Sequence, residues 1–279
     1  MKIPAPERPV LTDRNALLRQ RDRAWRMGLV DLFHQIAIDE IEDRLAEVNR
    51  TFTAPALVTG FPDIWGPRFP QARLVPDDPV LDLQPGAHDL VIHGLSLHWA
   101  EDPVGQIAQC TRALREDGLF IGVCFAGQTL AELRAALAQA EAEVSGGLAP
   151  RVLPMGEIRD LGGLLHRAGL VLPVADLLHQ RAIYRDLTHL ARDLRAMGEG
   201  NAMAARLRRP TRRDVLARAG ALLAKASPDR DDPSRVAVTF DLVFLTGWAP
   251  SDSQPKPLRP GSAKTSLAAA LEKIRKTET

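Results

Sequence analysis

Apolar positions recur along this chain in two spacings, and the changes from one to the other lay out its elements. Leu32, Phe33, Ile36, Ile38, Ile41, Leu45 and Val48 approximate a helical stripe opposed by Asp39, Glu40, Glu42, Asp43 and Arg44. Together with the densely charged stretch before it, Leu11 to Arg50 reads as a helical lid or dock. Ala54 to Gly60 is a short strand ending in glycine, Phe61 to Pro70 is too interrupted by proline for more than a short helix, and Arg73-Leu-Val75 is a candidate second strand. The unbroken run Asp89-Leu-Val-Ile92 predicts a parallel strand buried on both faces. It stops at a polar loop, His93 to Glu101, and restarts as a helix, with Asp102 suited to the N-cap and Pro103 to the first helical position.

That helix should run to Leu114 and close at Glu116-Asp-Gly118, after which Leu119 to Phe125 forms a buried strand. Thr129-Leu-Ala-Glu132 reads as a capping box opening an Ala-rich helix that ends near Gly146-Gly147. A helix over Glu157 to Ala168 and a strand over Leu170 to Leu178, broken by Pro173, follow. Residues 186 to 226 predict two or more helices. Arg235 to Trp248 alternates along Val236, Val238, Phe240, Leu242 and Phe244, as an antiparallel strand added at a sheet edge would. This rhythm of strand, helix, strand, helix predicts an α/β fold with a parallel core. The expected divisions are an N-terminal helical segment (1–50), an α/β domain (51–249) with a helical insertion (180–230), and a Pro-rich strap and tail (250–279). Residues 1–10, also Pro-rich, are expected to be mobile.

Composition adds limits. A chain of 279 residues that is 45% hydrophobic can bury a sizeable core. Its formal net charge of +1 gives no global field for nucleic acid or an anionic membrane. Cys110 and Cys124 fall in a predicted helix and strand and read as reduced, buried thiols. No secretory signal or transmembrane run is legible, so a cytoplasmic location is expected.

The best site candidate is the loop after the Asp89 strand, because open α/β sheets place ligands at the carboxyl ends of their strands. His93, Gly94 and Leu95 open it; Ser96, His98 and Trp99 could face a substrate, with Ser96 alternatively bonding its own loop backbone. Gly94-Leu-Ser-Leu-His98 approaches the elbow of serine hydrolases, but His98 fills the place of the small residue and the helix starts too late. His88, His93 and His98, five residues apart, share neither a strand face nor a helix face, so no metal site is expected. Glu199 and Asn201, in Met197-Gly-Glu-Gly-Asn-Ala202, lie in the helical insertion, where an acid could pair with a guanidinium or simply cap a helix in solvent. The arginines from Arg206 to Arg218 read as a solvated face or as a dock for an acidic partner.

Several stretches carry a family likeness. Leu95-Ser-Leu-His-Trp99, Arg112-Ala-Leu-Arg-Glu-Asp-Gly-Leu-Phe-Ile-Gly122, Asp160-Leu-Gly-Gly-Leu-Leu-His-Arg-Ala-Gly169 and Asp193-Leu-Arg-Ala-Met-Gly-Glu-Gly-Asn201 resemble one branch of the class I S-adenosylmethionine-dependent methyltransferases. That branch holds the methyltransferase-like assembly factors of respiratory complex I, with malonyl-carrier-protein methyltransferases of biotin synthesis as more distant relatives. The resemblance implies a Rossmann-like sheet, S-adenosylmethionine as cofactor, and a complex I subunit as partner, modified by arginine hydroxylation in the assembly-factor members. It also implies cofactor contacts at Gly60, Asp77, His93, Gly94 and Leu95.

The chain departs from this family at the cofactor. The expected Gly-rich loop is here Val58-Thr-Gly-Phe-Pro-Asp-Ile-Trp65, with one glycine, and Phe61 and Pro62 add bulk where the backbone should approach the ligand. Gly60 to Asp89 spans only 29 positions, whereas two helices and two strands need roughly 45 to 50. About one βα unit is missing. Asp77 then either ends the second strand or lies in the loop after the third. The expectation is a partner-binding protein with weak or absent S-adenosylmethionine binding; an active methyltransferase or arginine-modifying enzyme with a remodelled loop, and a non-catalytic scaffold, are the alternatives.

Overall fold

A computed structural model describes residues 10–254. The expected mobile N-terminus falls outside these residues except for Val10, as do the C-terminal tail and all of the strap beyond 254. Two helices come first, α1 (Arg14–Met27) and α2 (Leu32–Glu47), parted at Gly28, whose φ of 83° ends α1. Then come β1 (Pro55–Thr59), the one-turn α3 (Pro62–Trp65), β2 (Arg73–Val75), β3 (His88–Gly94) and α4 (Pro103–Ala113). The chain continues through β4 (Leu114–Ala126), α5 (Ala131–Ser145), α6 (Ile158–Arg167), β5 (Val171–Tyr184), α7 (Leu187–Ala196), α8 (Arg213–Ala226) and β6 (Val236–Trp248).

Among the described residues the sheet has six strands in the order β2-β1-β3-β4-β6-β5. β2, β1, β3 and β4 run parallel, and β6 is antiparallel to both its neighbours. This is the Rossmann-like sheet that the resemblance implies, ending at β2, beyond which no further strand follows among the described residues. One face packs Leu57, Ile92, Ile121 and Phe240 against α2, α3 and α5; the other packs Val58, Val91, Phe120 and Val243 against α4 and α6. The core therefore lies on both sides of the sheet.

Three expectations need correction. β6 is antiparallel but sits inside the sheet, and β5 forms the edge; apolar residues at both parities, Leu242 to Leu245, are fully buried, as an interior strand requires. Thr129 and Glu132 form no capping box. The β4–β6 ladder ends at Ala126 and Asp241, and there the Thr129 hydroxyl donates to Ala126 O (2.8 Å) and accepts from Asp241 N–H (2.9 Å), while Glu132 accepts from the Thr239 hydroxyl (2.6 Å). β5, expected to end at Leu178, continues through Tyr184, and the helices expected over residues 186–226 begin at Leu187.

Candidate functional site

β3 is buried from end to end, and its last residues meet helical side chains rather than open space. A Cβ placed on Gly94 would lie 2.8 Å from the Trp65 ring. His93 is fully buried and shares a 2.9 Å hydrogen bond between Nε2 and Gln106 Oε1; burial pushes its pKa down. Gln106 Nε2 in turn donates to Asp78 O at 3.0 Å. Leu95 turns the chain at φ 46°, Leu97–Trp99 makes one 3-10 turn, and Asp102 caps α4 by accepting from Gly105 N–H. Ser96 is buried, but its hydroxyl bonds nothing in its loop or elsewhere among the described residues.

Asp77 follows β2, which pairs with β1, so it stands at the end of the second strand and the alternative placement is removed. Both its oxygens are taken. Arg21 donates to them from Nη1 (2.8 Å) and Nη2 (2.7 Å), and Arg14 adds a bond of 2.8 Å. Burial alone would raise the Asp77 pKa, but the two guanidinium groups outweigh it and hold the carboxyl well below the usual carboxylate range. The same Arg21 guanidinium covers Gly60, where an added Cβ would come within 2.1 Å of Nη1. Its carbon lies 5.4 Å from the centre of the Phe61 ring. Phe61 also packs against His34, whose Nδ1 accepts from Trp65 Nε1–H at 3.0 Å. Burial pushes the His34 pKa down to about 4, so the ring is neutral at physiological pH.

These residues do not fit S-adenosylmethionine as they stand. Backbone bared at Gly60 is what the cofactor would need to approach, and a pinned guanidinium lies on it. The acid that would face ribose hydroxyls already accepts three bonds from arginines. A cavity of ≈ 480 Å³ remains beside the ion pair, lined by Arg14, Leu18, Thr59, Pro62 and Asp78 among others.

On the other side of the loop, Glu199, in the turn after α7, brings His98 and Trp99 together. Its Oε2 accepts from Trp99 Nε1–H at 2.8 Å and lies 3.2 Å from His98 Nε2. Burial raises the Glu199 pKa, but His98, Trp99 and Arg21 more than compensate, and the carboxyl ends below its ordinary value. Glu199 is therefore neither a solvated cap nor an unpaired acid. A cavity of ≈ 240 Å³ opens beside it, walled by Trp99, Phe125, Leu133, Leu194 and Phe240. Asn201 lines that cavity too, but its amide is occupied: Nδ2 donates to Pro150 O (2.8 Å) and Oδ1 accepts from Met203 N–H (3.1 Å). Ser96 is not part of this lining. Of the arginine cluster, Arg206 pairs with Asp13, Arg212 with Asp214 and Arg218 with Glu143, so these charges are neutralised within the chain.

Sequence reading missed Arg21, His34, Trp65 and Gln106. Arg21 had a signal, since it shares a helical face with Leu17 and Ala24, both fully buried, and a charge on an apolar face calls for a buried partner. Among so many α1 arginines that face was hidden.

No family model matches the chain. The protein named arginine-hydroxylase NDUFAF5, mitochondrial, of Danio rerio is 36% identical over 209 residues, covering 75% of this chain and 64% of the relative. The protein of that name in Homo sapiens is 34% identical over 198 residues, covering 71% and 56%. The chain thus spans less than two thirds of these relatives. The malonyl-[acyl-carrier protein] O-methyltransferase of Laribacter hongkongensis is 30% identical over 214 residues, covering 74% of this chain and 69% of its own. Among solved structures, YcgJ of Bacillus subtilis covers 75% of this chain and 97% of its own, at a TM-score of 0.48 and 9% identity.

Proposed function

Since the chain belongs to the family that contains the arginine-hydroxylase NDUFAF5 proteins and the malonyl-[acyl-carrier protein] O-methyltransferases, we propose that it is an assembly factor of respiratory complex I. In this reading it binds a protein subunit on a methyltransferase-like fold and has lost S-adenosylmethionine binding. The observation that carries the second half is the Arg21 guanidinium, which covers Gly60 and bonds both oxygens of Asp77 in one arrangement. Swinging Arg21 away would leave Asp77, 4% exposed, with Arg14 alone, at a cost of several kcal/mol that ligand binding would have to offset.

The partner half rests on the relatives and on the Glu199, His98 and Trp99 cluster with its adjoining cavity. Among the described residues no helix is long and apolar enough to cross a membrane, and relatives are named as mitochondrial. Removal of the protein from cells should impair complex I assembly, and normal assembly would contradict the partner half. A second reading, an active enzyme with a remodelled cofactor site, is favoured by the ≈ 480 Å³ cavity beside Asp77. It expects a mass gain on a partner subunit incubated with the protein and S-adenosylmethionine, where the first reading expects none.

A further inference from the structure

α1 uses its arginines in two ways. On its inner side Arg14 and Arg21 are bound to Asp77, and Leu17, Arg21 and Ala24 are buried. On its outer side Arg19, Arg23 and Arg26, spaced four and three residues apart, form one exposed stripe. None of the three has a carboxylate partner among the described residues, and Arg26 meets only the Asp22 backbone carbonyl at 3.3 Å. Leu18 and Trp25, seven residues apart, run alongside on a stripe of their own. The corner between α1 and α2 adds Met27 and Leu32, and these four apolar side chains are between 44% and 56% exposed. Val30 N–H donates to Ala196 O at 3.0 Å, which brings Arg195 of α7, exposed and likewise unpaired, to the same corner. The acids of these stretches are Asp22 and Asp31, the second engaged by Gln35 at 2.8 Å, so four free arginines face two carboxylates.

Large apolar side chains gathered at one exposed corner mark a contact surface. Flanking guanidinium groups narrow what it contacts. At an anionic bilayer the indole and aliphatic groups sink to the boundary between headgroups and acyl chains, while the arginines bond lipid phosphates. A nucleic acid would take the guanidinium groups but leave Leu18, Met27 and Leu32 in water. The formal net charge of +1 does not oppose this, because only charges within about 10 Å of the surface count at 0.1 M salt.

We propose that the outer face of α1 and the α1–α2 corner form a docking surface for a membrane bearing anionic lipid. The surface depends neither on the cofactor cleft nor on the assembly role, so each can fail alone. The full chain is sedimented with vesicles of equal parts phosphatidylglycerol and phosphatidylcholine, and with vesicles of phosphatidylcholine alone. It should bind the anionic vesicles, with a blue shift of tryptophan emission that Trp25→Phe removes, since Trp65 and Trp99 are already buried. Replacing Arg19, Arg23 and Arg26 together by glutamine should weaken binding on the order of 100-fold. Arg159→Gln with Arg167→Gln, exposed on α6 across the sheet, should change nothing. All the substituted side chains are exposed, and an unchanged urea midpoint checks that each variant folds. No sedimentation with the anionic vesicles, equal binding to both kinds, or undiminished binding by the triple variant would overturn the proposal. So would binding to a single-stranded oligonucleotide but not to vesicles, which would assign the arginines to nucleic acid.

Discussion

Arg21→Ala takes away the group that joins α1 to the ends of β1 and β2. The two side chains of the Arg21–Asp77 pair are 7% and 4% exposed, so water screens little of their interaction. Removing one member of a buried pair costs about 3–5 kcal/mol, because the other charge is left uncompensated. Arg14 stays on Asp77 Oδ1, from a side chain 27% exposed, and places the expected loss near the lower end, about 3 kcal/mol. With a urea m-value of about 3 kcal/mol/M, the top of the usual range, the unfolding midpoint should fall by about 1 M. Asp77→Ala should cost a similar amount, and the double variant should fall short of the sum by about 2 kcal/mol, since one contact is lost twice. An Arg21→Ala loss under about 1 kcal/mol, or additive single losses, would show that the pair does not hold the cleft shut.

Two other perturbations test the same packing. Gly60→Ala should cost about 1–3 kcal/mol, because its Cβ must displace a pinned guanidinium, and less than about 0.5 kcal/mol in an Arg21→Ala background; equal costs in both backgrounds would contradict this. His34, held down to about pKa 4 by burial, binds its proton in the unfolded chain near pH 6.5. Its contribution to stability is complete above that value and is lost as pH falls towards 4. From pH 7.5 to 4.5 the native protein should lose about 2.5 kcal/mol more than His34→Gln, measured by urea unfolding, and identical losses would refute the assignment.

The parallel half of the fold was legible because local pattern and topology agree there. Leu90 to Ile92 is uniformly apolar, and Asp102-Pro103 punctuates the restart as α4, so both ends of the central loop could be placed. The short interval from Gly60 to Asp89 also disclosed the missing edge unit, since chain length limits how many elements fit. The position of β6 was not legible, because alternation reports faces and not neighbours; the apolar residues at both parities from Leu242 to Leu245 were the only local trace. Thr129 misled for a related reason: its spacing to Glu132 matches a capping box, but the frayed end of the β4–β6 ladder competes for its hydroxyl. At the site, Glu199, His98 and Trp99 could each be named from sequence. Their convergence on one carboxylate oxygen, across about 100 residues of chain, is a tertiary fact. Arg21 shows the same limit, because its partner Asp77 lies on another element and only the fold brings them together.

The most direct measurement is a calorimetric titration of the full chain with S-adenosylmethionine up to about 1 mM, paired with a thermal melt at the same concentration. A cleft in which Arg21 covers Gly60 and holds Asp77 should give no saturable heat and no rise in Tm, because a ligand that does not bind the native state cannot stabilise it. A saturable isotherm with a micromolar Kd, accompanied by a higher Tm, would contradict the closed cleft and favour an active enzyme.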